Sequence, residues 1–333
     1  MAGERLKTIP IVDLADFQSP NPSLRQETTD ITVKGLRDIG FIFVKTPEIT
    51  EKLPRIYPIF KKLFDLPEET LLGYERKELH HQRGYTPSYS EIGVVCQKSG
   101  PDGKEQPDSK KNWFIGPEHD DIEDKGLITQ FPALYAENIW PQEVPELRDA
   151  SLELYGDLYD VGKKVLRALE KPLGYDEGFF AGVIKDSPTS LRPLYYPPDA
   201  GEVGACDHTD INYVTVLPAP TKEGLWVKTR DGEWIKAMAP AGCSLAQVGD
   251  MMQYTTGGEF HSAIHKVDPA RGEGRYSTAL FGHARSTVDL APAAQWEADP
   301  EQYPSFTAGD FLYRRLNEIG LAKQQAKEAS PSV

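Results

Sequence analysis

The chain has 333 residues, 39% hydrophobic and 26% charged, which is ordinary for a soluble globular protein with one large core or two smaller ones. Its net charge of −14 argues against a nucleic-acid partner, because a phosphate backbone has to be met by clustered Lys and Arg. Apolar runs such as GFIFV (40–44) are too short to span a bilayer, and MAGERLKTIPIVDL carries charges and a Pro where a secretory leader needs an apolar stretch, so a cytoplasmic protein with no membrane partner is expected.

In chain order, TIPIVDL (8–14) reads as a short strand, residues 23–38 and 50–64 have helical spacing, and GFIFV between them reads as a buried strand. The stretch CQKSGPDGKEQPDSKK (96–111) has the Gly, Pro, Lys and Asp content of a polar, mobile connection. From Glu146 to Leu173, Leu147, Leu154, Leu158, Val161, Val165 and Leu169 recur at three- and four-residue steps, the apolar stripe of a scaffold helix stopped by Pro172 and Gly174. After Ser190 the chain breaks into short β-rich runs divided by Gly, Pro and Asp, among them SLRPLYYPP, INYVTVLPAP, CSLAQVGDMMQYTTGG, HSAIHKVDP and RYSTALFGHA, with TRDGEW as a hairpin turn. The expected fold is α+β, with N-terminal helices supporting a double-sheet, jelly-roll barrel. Three widely spaced cysteines, Cys96, Cys206 and Cys243, fit neither a disulfide framework nor a four-Cys zinc site and are expected to be thiols.

The chemistry begins at CDHTDINYVTVL (206–217), where His208 and Asp210 stand one residue apart at the head of a strand. Alone, the triplet is as good a polar turn as a pair of metal ligands. A third ligand is available downstream in GEFHSAIHKV, where His261 and His265 share one face of a strand. Two imidazoles and one carboxylate with coordination positions left open suit non-haem Fe(II) oxygen chemistry. In GRYSTALFGHA, Arg275 and Ser277 also share a face, and a guanidinium fork with a hydroxyl beside it suits a carboxylate. Upstream, LYYPP offers Tyr195 or Tyr196 to the same interior.

Taken in order, LRPLYYPP, HTDINYVTVL, GLWV, DGEWIKAM, GDMMQYTTGGEFHSAIHKV and RYS resemble the Fe(II)- and 2-oxoglutarate-dependent dioxygenases, and more narrowly the isopenicillin N synthase-like branch. The resemblance is dense over roughly 190–285 and extends more weakly to TIPIVDL, GFIFV and FTAGDFLYRRL (306–316). It implies a double-stranded β-helix core at about 190–290, and one catalytic unit made of a mixed N-terminal region (1–120, with substrate-side loops) and a region (121–333) of helical support, barrel and C-terminal helix. It also implies Fe(II), 2-oxoglutarate as cosubstrate and O2, with decarboxylation coupled to hydroxylation, desaturation or ring closure of a small organic molecule. An Fe(II) oxidase that dispenses with 2-oxoglutarate is the alternative on the same scaffold, and a metal-free binding protein is a more distant one.

By motif, the resemblance makes His208, Asp210 and His265 the iron ligands, His265 being preferred to His261 because the third ligand sits in a run like SAIHKV. Arg275 and Ser277 become the clamp for the distal carboxylate of 2-oxoglutarate, and Tyr196 lies in the same pocket. Leu194 replaces a common Asn, and Lys266 a common Arg. On the substrate side the expected residues are Tyr213, Phe281 and His283, together with Arg83 and Tyr85 of HHQRGYTP. Arg83 is the expected partner of a carboxylate or other anionic group on the substrate. NWF (112–114) offers Trp113 and Phe114 as a lid or as packing, and His80, His81 and His119 read as solvated loop residues.

Overall fold

The computed structural model describes residues 5–92 and 107–322. Twelve strands occur among them: β1 Ile11–Val12, β2 Phe41–Lys45, β3 Gly84–Thr86, β4 Lys111–Phe114, β5 Ser190–Tyr196, β6 Ala205–His208, β7 Val214–Leu217, β8 Leu225–Lys228, β9 Trp234–Lys236, β10 Cys243–Val248, β11 His265–Val267 and β12 Arg275–Gly282. They form an eight-stranded sheet in the order β1-β2-β10-β7-β12-β5-β4-β3 and a four-stranded sheet in the order β6-β11-β8-β9. All neighbours are antiparallel except β1 and β2. The order departs widely from chain order, as it must when consecutive strands alternate between two facing sheets. Strands of the N-terminal region lie at both ends of the large sheet, so its backbone hydrogen bonds join the two halves of the chain.

The helices cover the outer face of the large sheet. They are α1 Pro22–Asp38, α2 Pro47–Phe64, α3 Glu68–Leu72, α4 Gly126–Gln130, α5 Glu146–Glu170, α6 Phe179–Ile184, α7 Asp250–Thr255 and α8 Ala308–Glu318. In α1, Pro22 at the first turn and Asn21 as cap, accepting from the Ser23 N–H, explain the start. The α5 stripe predicted from spacing is buried against β7 and β12, with Leu147, Leu154, Leu158, Val165 and Leu169 fully enclosed. Burying a Leu side chain contributes about 1.5–3 kcal/mol, so this stripe is what holds the helix to the sheet. A smaller group, Leu194, Tyr196, Ala205, Val267, Ala270 and Ala279, packs between the two sheets beside the site.

Several expectations need correction. The strand expected through CSLAQVGDMMQYTTGG stops at Val248, and the chain turns into α7. In HSAIHKVDP pairing starts only at His265, so period-two parity does not tie His261 to it. TIPIVDL pairs only at Ile11 and Val12. TRDGEW is the expected hairpin, with Gly232 at φ 88° and Thr229 donating to Glu233 O at 2.8 Å. Most of the polar connection expected at 96–111 lies outside the described residues, but its end is no solvated loop, because Asp108, Ser109 and Lys110 are buried. Cys243 is a buried free thiol, whereas Cys206 is held in a disulfide. No helix among the described residues is long and apolar enough to cross a membrane.

Candidate active site

Cross-strand register builds the centre of the site. β6 and β11 pair with His208 opposite His265, so the two imidazoles face one another with ring centroids 4.2 Å apart. Asp210 follows in the turn beyond β6, its Oδ1 lying 4.0 Å from His208 Nε2 and 3.6 Å from His265 Nε2. One donor atom from each of the three residues falls within 4.8 Å of the others.

The remaining atom of each side chain is already engaged. His208 Nδ1 meets Cys206 O at 2.5 Å and His265 Nδ1 meets Ala263 O at 3.1 Å, so each Nδ1–H donates to a carbonyl and each Nε2 presents its lone pair inward. Asp210 Oδ2 accepts from Thr215 Oγ1 at 2.5 Å and from Gln247 Nε2, leaving Oδ1 toward the imidazoles. Burial, reinforced by the neighbouring His208, pushes the His265 imidazole down to about 4, which keeps it neutral at neutral pH. Two neutral imidazoles and a carboxylate, each oriented by a second hydrogen bond, fit a divalent first-row metal with positions left open. Gly249 makes the close packing possible. A Cβ there would clash with the Asn212 carbonyl and stand 2.8 Å from Asp210 O.

Beside this cluster, β12 pairs with β5 so that Arg275 lies opposite Tyr196 and Ser277 opposite Leu194. Alternation points Arg275, Ser277, Ala279 and Phe281 of β12, and Ser190, Arg192, Leu194 and Tyr196 of β5, into one cavity of about 140 Å³. The Arg275 guanidinium lies 4.9 Å over the Tyr196 ring and donates through Nε to Lys222 O at 2.9 Å, while its buried Nη1 has no acceptor. A buried donor left unmet costs about 1–3 kcal/mol, which a carboxylate oxygen would recover. The donor set at this end of the cavity therefore fits a carboxylate as the triad fits a metal.

The structure divides the expected substrate residues. Phe281 and His283 line the cavity, and burial pushes His283 down to about 4. Arg83 does not line it. All three guanidinium nitrogens donate to backbone carbonyls, Nε to Ala136 at 2.8 Å, Nη1 to Gln82 at 2.6 Å and Nη2 to Leu134 at 3.0 Å, so Arg83 pins a loop. Tyr85 is fully buried with its hydroxyl 2.8 Å from Glu68 Oε1, and Tyr213 packs edge-on against Phe180; neither reaches the cavity. Trp113 is packing against Tyr74, and Phe114 is cavity wall, so NWF forms no lid. His81 is buried rather than solvated, and His261 stands outside the His–Asp–His cluster. Residues that the sequence reading missed are Thr215 and Gln247, which orient Asp210, and a charged group in the cavity wall formed by Glu91, Asp108, Lys110 and Arg192. The signal for Arg192 was available, since it lies two strand positions from Leu194 and four from Tyr196.

Comparison with known proteins agrees with this geometry. The 2OG-Fe(II) oxygenase superfamily matches residues 189–284, and the family described as non-haem dioxygenase in morphine synthesis N-terminal matches residues 9–143. A 2-oxoglutarate-dependent dioxygenase of Trichoderma harzianum is 28% identical, covering 93% of this chain and 93% of that protein. A crystal structure from Caulobacter crescentus, described as of the 2OG-Fe(II) oxygenase family, is 29% identical, covers 94% of this chain and 99% of its own, and superposes with a TM-score of 0.74. An enzyme of Neurospora crassa solved with alpha-KG and thymine shares the fold at 23% identity, with 93% and 96% coverage and a TM-score of 0.75. The chain belongs to the Fe(II)- and 2-oxoglutarate-dependent oxygenases, with the jelly-roll fold of that family. It is an oxidoreductase that uses Fe(II), 2-oxoglutarate and O2 to oxidise a small molecule.

Proposed function

We propose that His208, Asp210 and His265 hold the iron, that Arg275, Ser277 and Tyr196 take the distal carboxylate of 2-oxoglutarate, and that the substrate enters the cavity on the Phe281 and His283 side. The observation that carries this reading is the inward convergence of three donor atoms whose partner atoms are all satisfied by the protein. Bound there, Fe(II) with 2-oxoglutarate and O2 supplies the oxidising power that releases succinate and CO2 and oxidises a substrate C–H bond.

The protein's part is binding and orientation. The Cys206 and Ala263 carbonyls hold both imidazoles in the tautomer that donates from Nε2. Thr215 and Gln247 stop the Asp210 carboxylate from turning. Arg275 neutralises a carboxylate in a site where water would otherwise be needed. Leu312 and Leu316 of α8 close the cavity with apolar surface, which limits water beside the reacting carbon. A carboxylate-bearing substrate stays within this reading, with Arg83 removed as its partner.

The test is anaerobic addition of 2-oxoglutarate to the Fe(II) protein, which should raise a visible charge-transfer band, followed by succinate formation on admitting O2. His208→Ala, Asp210→Ala and His265→Ala should each lose iron, while His261→Ala binds it almost normally. A His261→Ala protein that loses iron beside a His265→Ala protein that keeps it would refute the ligand assignment. Oxygen consumption with neither band nor succinate would favour the oxidase alternative.

A further inference from the structure

The wall of the cavity holds four charges that the iron and cosubstrate assignments leave unused. Lys110 Nζ lies 2.7 Å from Glu91 Oε2 and is paired with Asp108 as well. Arg192 pairs through Nη2 with Glu91 Oε1, which also accepts from Asn112 at 3.2 Å. Asp108 Oδ1 is anchored by the Cys206 N–H at 2.9 Å, so the group is tied to the strand that carries His208. Burial opposes the Glu91 charge, but Arg192 and Lys110 more than offset this and hold its carboxyl down to about 2.

Enclosing four charges costs several kcal/mol in desolvation, and an apolar wall of the same volume would be at least as stable. Glu91 does not need Arg192, since it already has Lys110 and Asn112. Arg192 is also held unusually flat. Its guanidinium carbon lies 4.1 Å over the Phe114 ring and 5.3 Å over the Phe281 ring, and its cross-strand neighbour is the small Ala279. With aromatic rings on the guanidinium, what it offers a ligand is its edge, and Nε on that edge is buried without a partner. Arg192 stands four residues from Tyr196 on β5, roughly 13 Å at the rise of an extended strand, too far to share the carboxylate that Arg275 serves.

Resting on the oxygenase reading above, we infer that Arg192 is the specificity-determining anchor of the substrate. The substrate is a small acid whose planar carboxylate meets the guanidinium edge, with an apolar body against Phe281, Leu312 and Leu316. Glu91 is a positioning residue: with Phe114 and Phe281 it fixes the plane in which the carboxylate has to lie.

The test is calorimetric binding to the anaerobic Fe(II) protein saturated with 2-oxoglutarate, using 3-phenylpropanoate and hexanoate, each against its own primary amide. Saturation keeps the acids away from Arg275. At least one acid should bind about tenfold tighter than its amide or more, the equivalent of about 1.4 kcal/mol. Arg192→Met should abolish that preference and Arg192→Lys should retain part of it, and Arg192→Gln stands in if the Met variant does not fold. Equal affinity for acid and amide, no binding of either acid, or a preference that survives in Arg192→Met or Arg192→Gln would overturn the inference. Failure of the oxygenase reading is separately visible, as a wild-type protein without the 2-oxoglutarate band, and the acid–amide comparison can still be read on that protein.

Discussion

Gln247→Leu separates metal binding from folding. Gln247 is buried, donates through Nε2 to Asp210 Oδ2, and leaves its own Oε1 without a partner. Replacement by Leu, of similar volume, removes one of the two hydrogen bonds on Oδ2, a loss of about 1.5–3 kcal/mol for a bond to a charged group. The same change also removes an orphaned buried carbonyl, whose unmet desolvation costs about 1–3 kcal/mol. The two effects nearly cancel, so the metal-free protein should melt within a few degrees of wild type. Metal affinity has no such compensation, because an Asp210 carboxylate held by Thr215 alone is free to rotate Oδ1 away from the imidazoles. The expected loss is about 10- to 100-fold in affinity, or about 1.4–2.7 kcal/mol. Anaerobic titration with Fe(II), or with Co(II) as a coloured probe, measures the first quantity, and thermal unfolding in chelator measures the second. Affinity unchanged within about threefold, with a large fall in melting temperature, would show Gln247 to be packing and refute the reasoning.

Arg275→Ala should raise the 2-oxoglutarate concentration needed to form the charge-transfer band by an amount corresponding to about 2–5 kcal/mol, the cost of truncating one partner of a buried charge pair; an unchanged half-saturation would remove Arg275 from the cosubstrate pocket. Gly249→Ala should destabilise even the metal-free protein, since its methyl meets the Asn212 and Asp210 carbonyls of the ligand turn, and a wild-type melting temperature would contradict the packing described. His283 is pushed by burial to about 4 in the folded protein, below its value of about 6.5 when unfolded, so its contribution to stability is present above pH 6.5 and is lost as the pH falls toward 4. His283→Leu should therefore flatten the decline in metal-free stability between about pH 6.5 and 4 by up to about 1.4 kcal/mol per pH unit, as measured by urea unfolding across that window.

The parts of this protein determined by the sequence itself are those set by local periodicity and by short spacing. The α5 stripe needs only the 3.6-residue repeat, and β5 and β12 need only alternation, which by itself puts Arg275, Ser277 and Phe281 on one face. The approach of His208 and Asp210 to one another is likewise a matter of two residues in a turn. Tertiary structure decided everything that depends on which strands become neighbours. Only the pairing of β6 with β11 makes His265 rather than His261 the third member of the triad, because the chain is not yet a strand at His261. The fate of the arginines was settled in the same way. Arg83 and Arg192 are equally charged on paper, but one is surrounded by the Gln82, Leu134 and Ala136 carbonyls and the other by Glu91 and two aromatic rings in the cavity wall. The polarity of Asp108 and Lys110 reads as solvated loop until each supplies the other's counter-charge inside the fold. A side chain's chemistry is written in the sequence, but the partners that satisfy it come from distant segments, and in a double-sheet barrel of non-consecutive strands those segments meet only when the chain has closed.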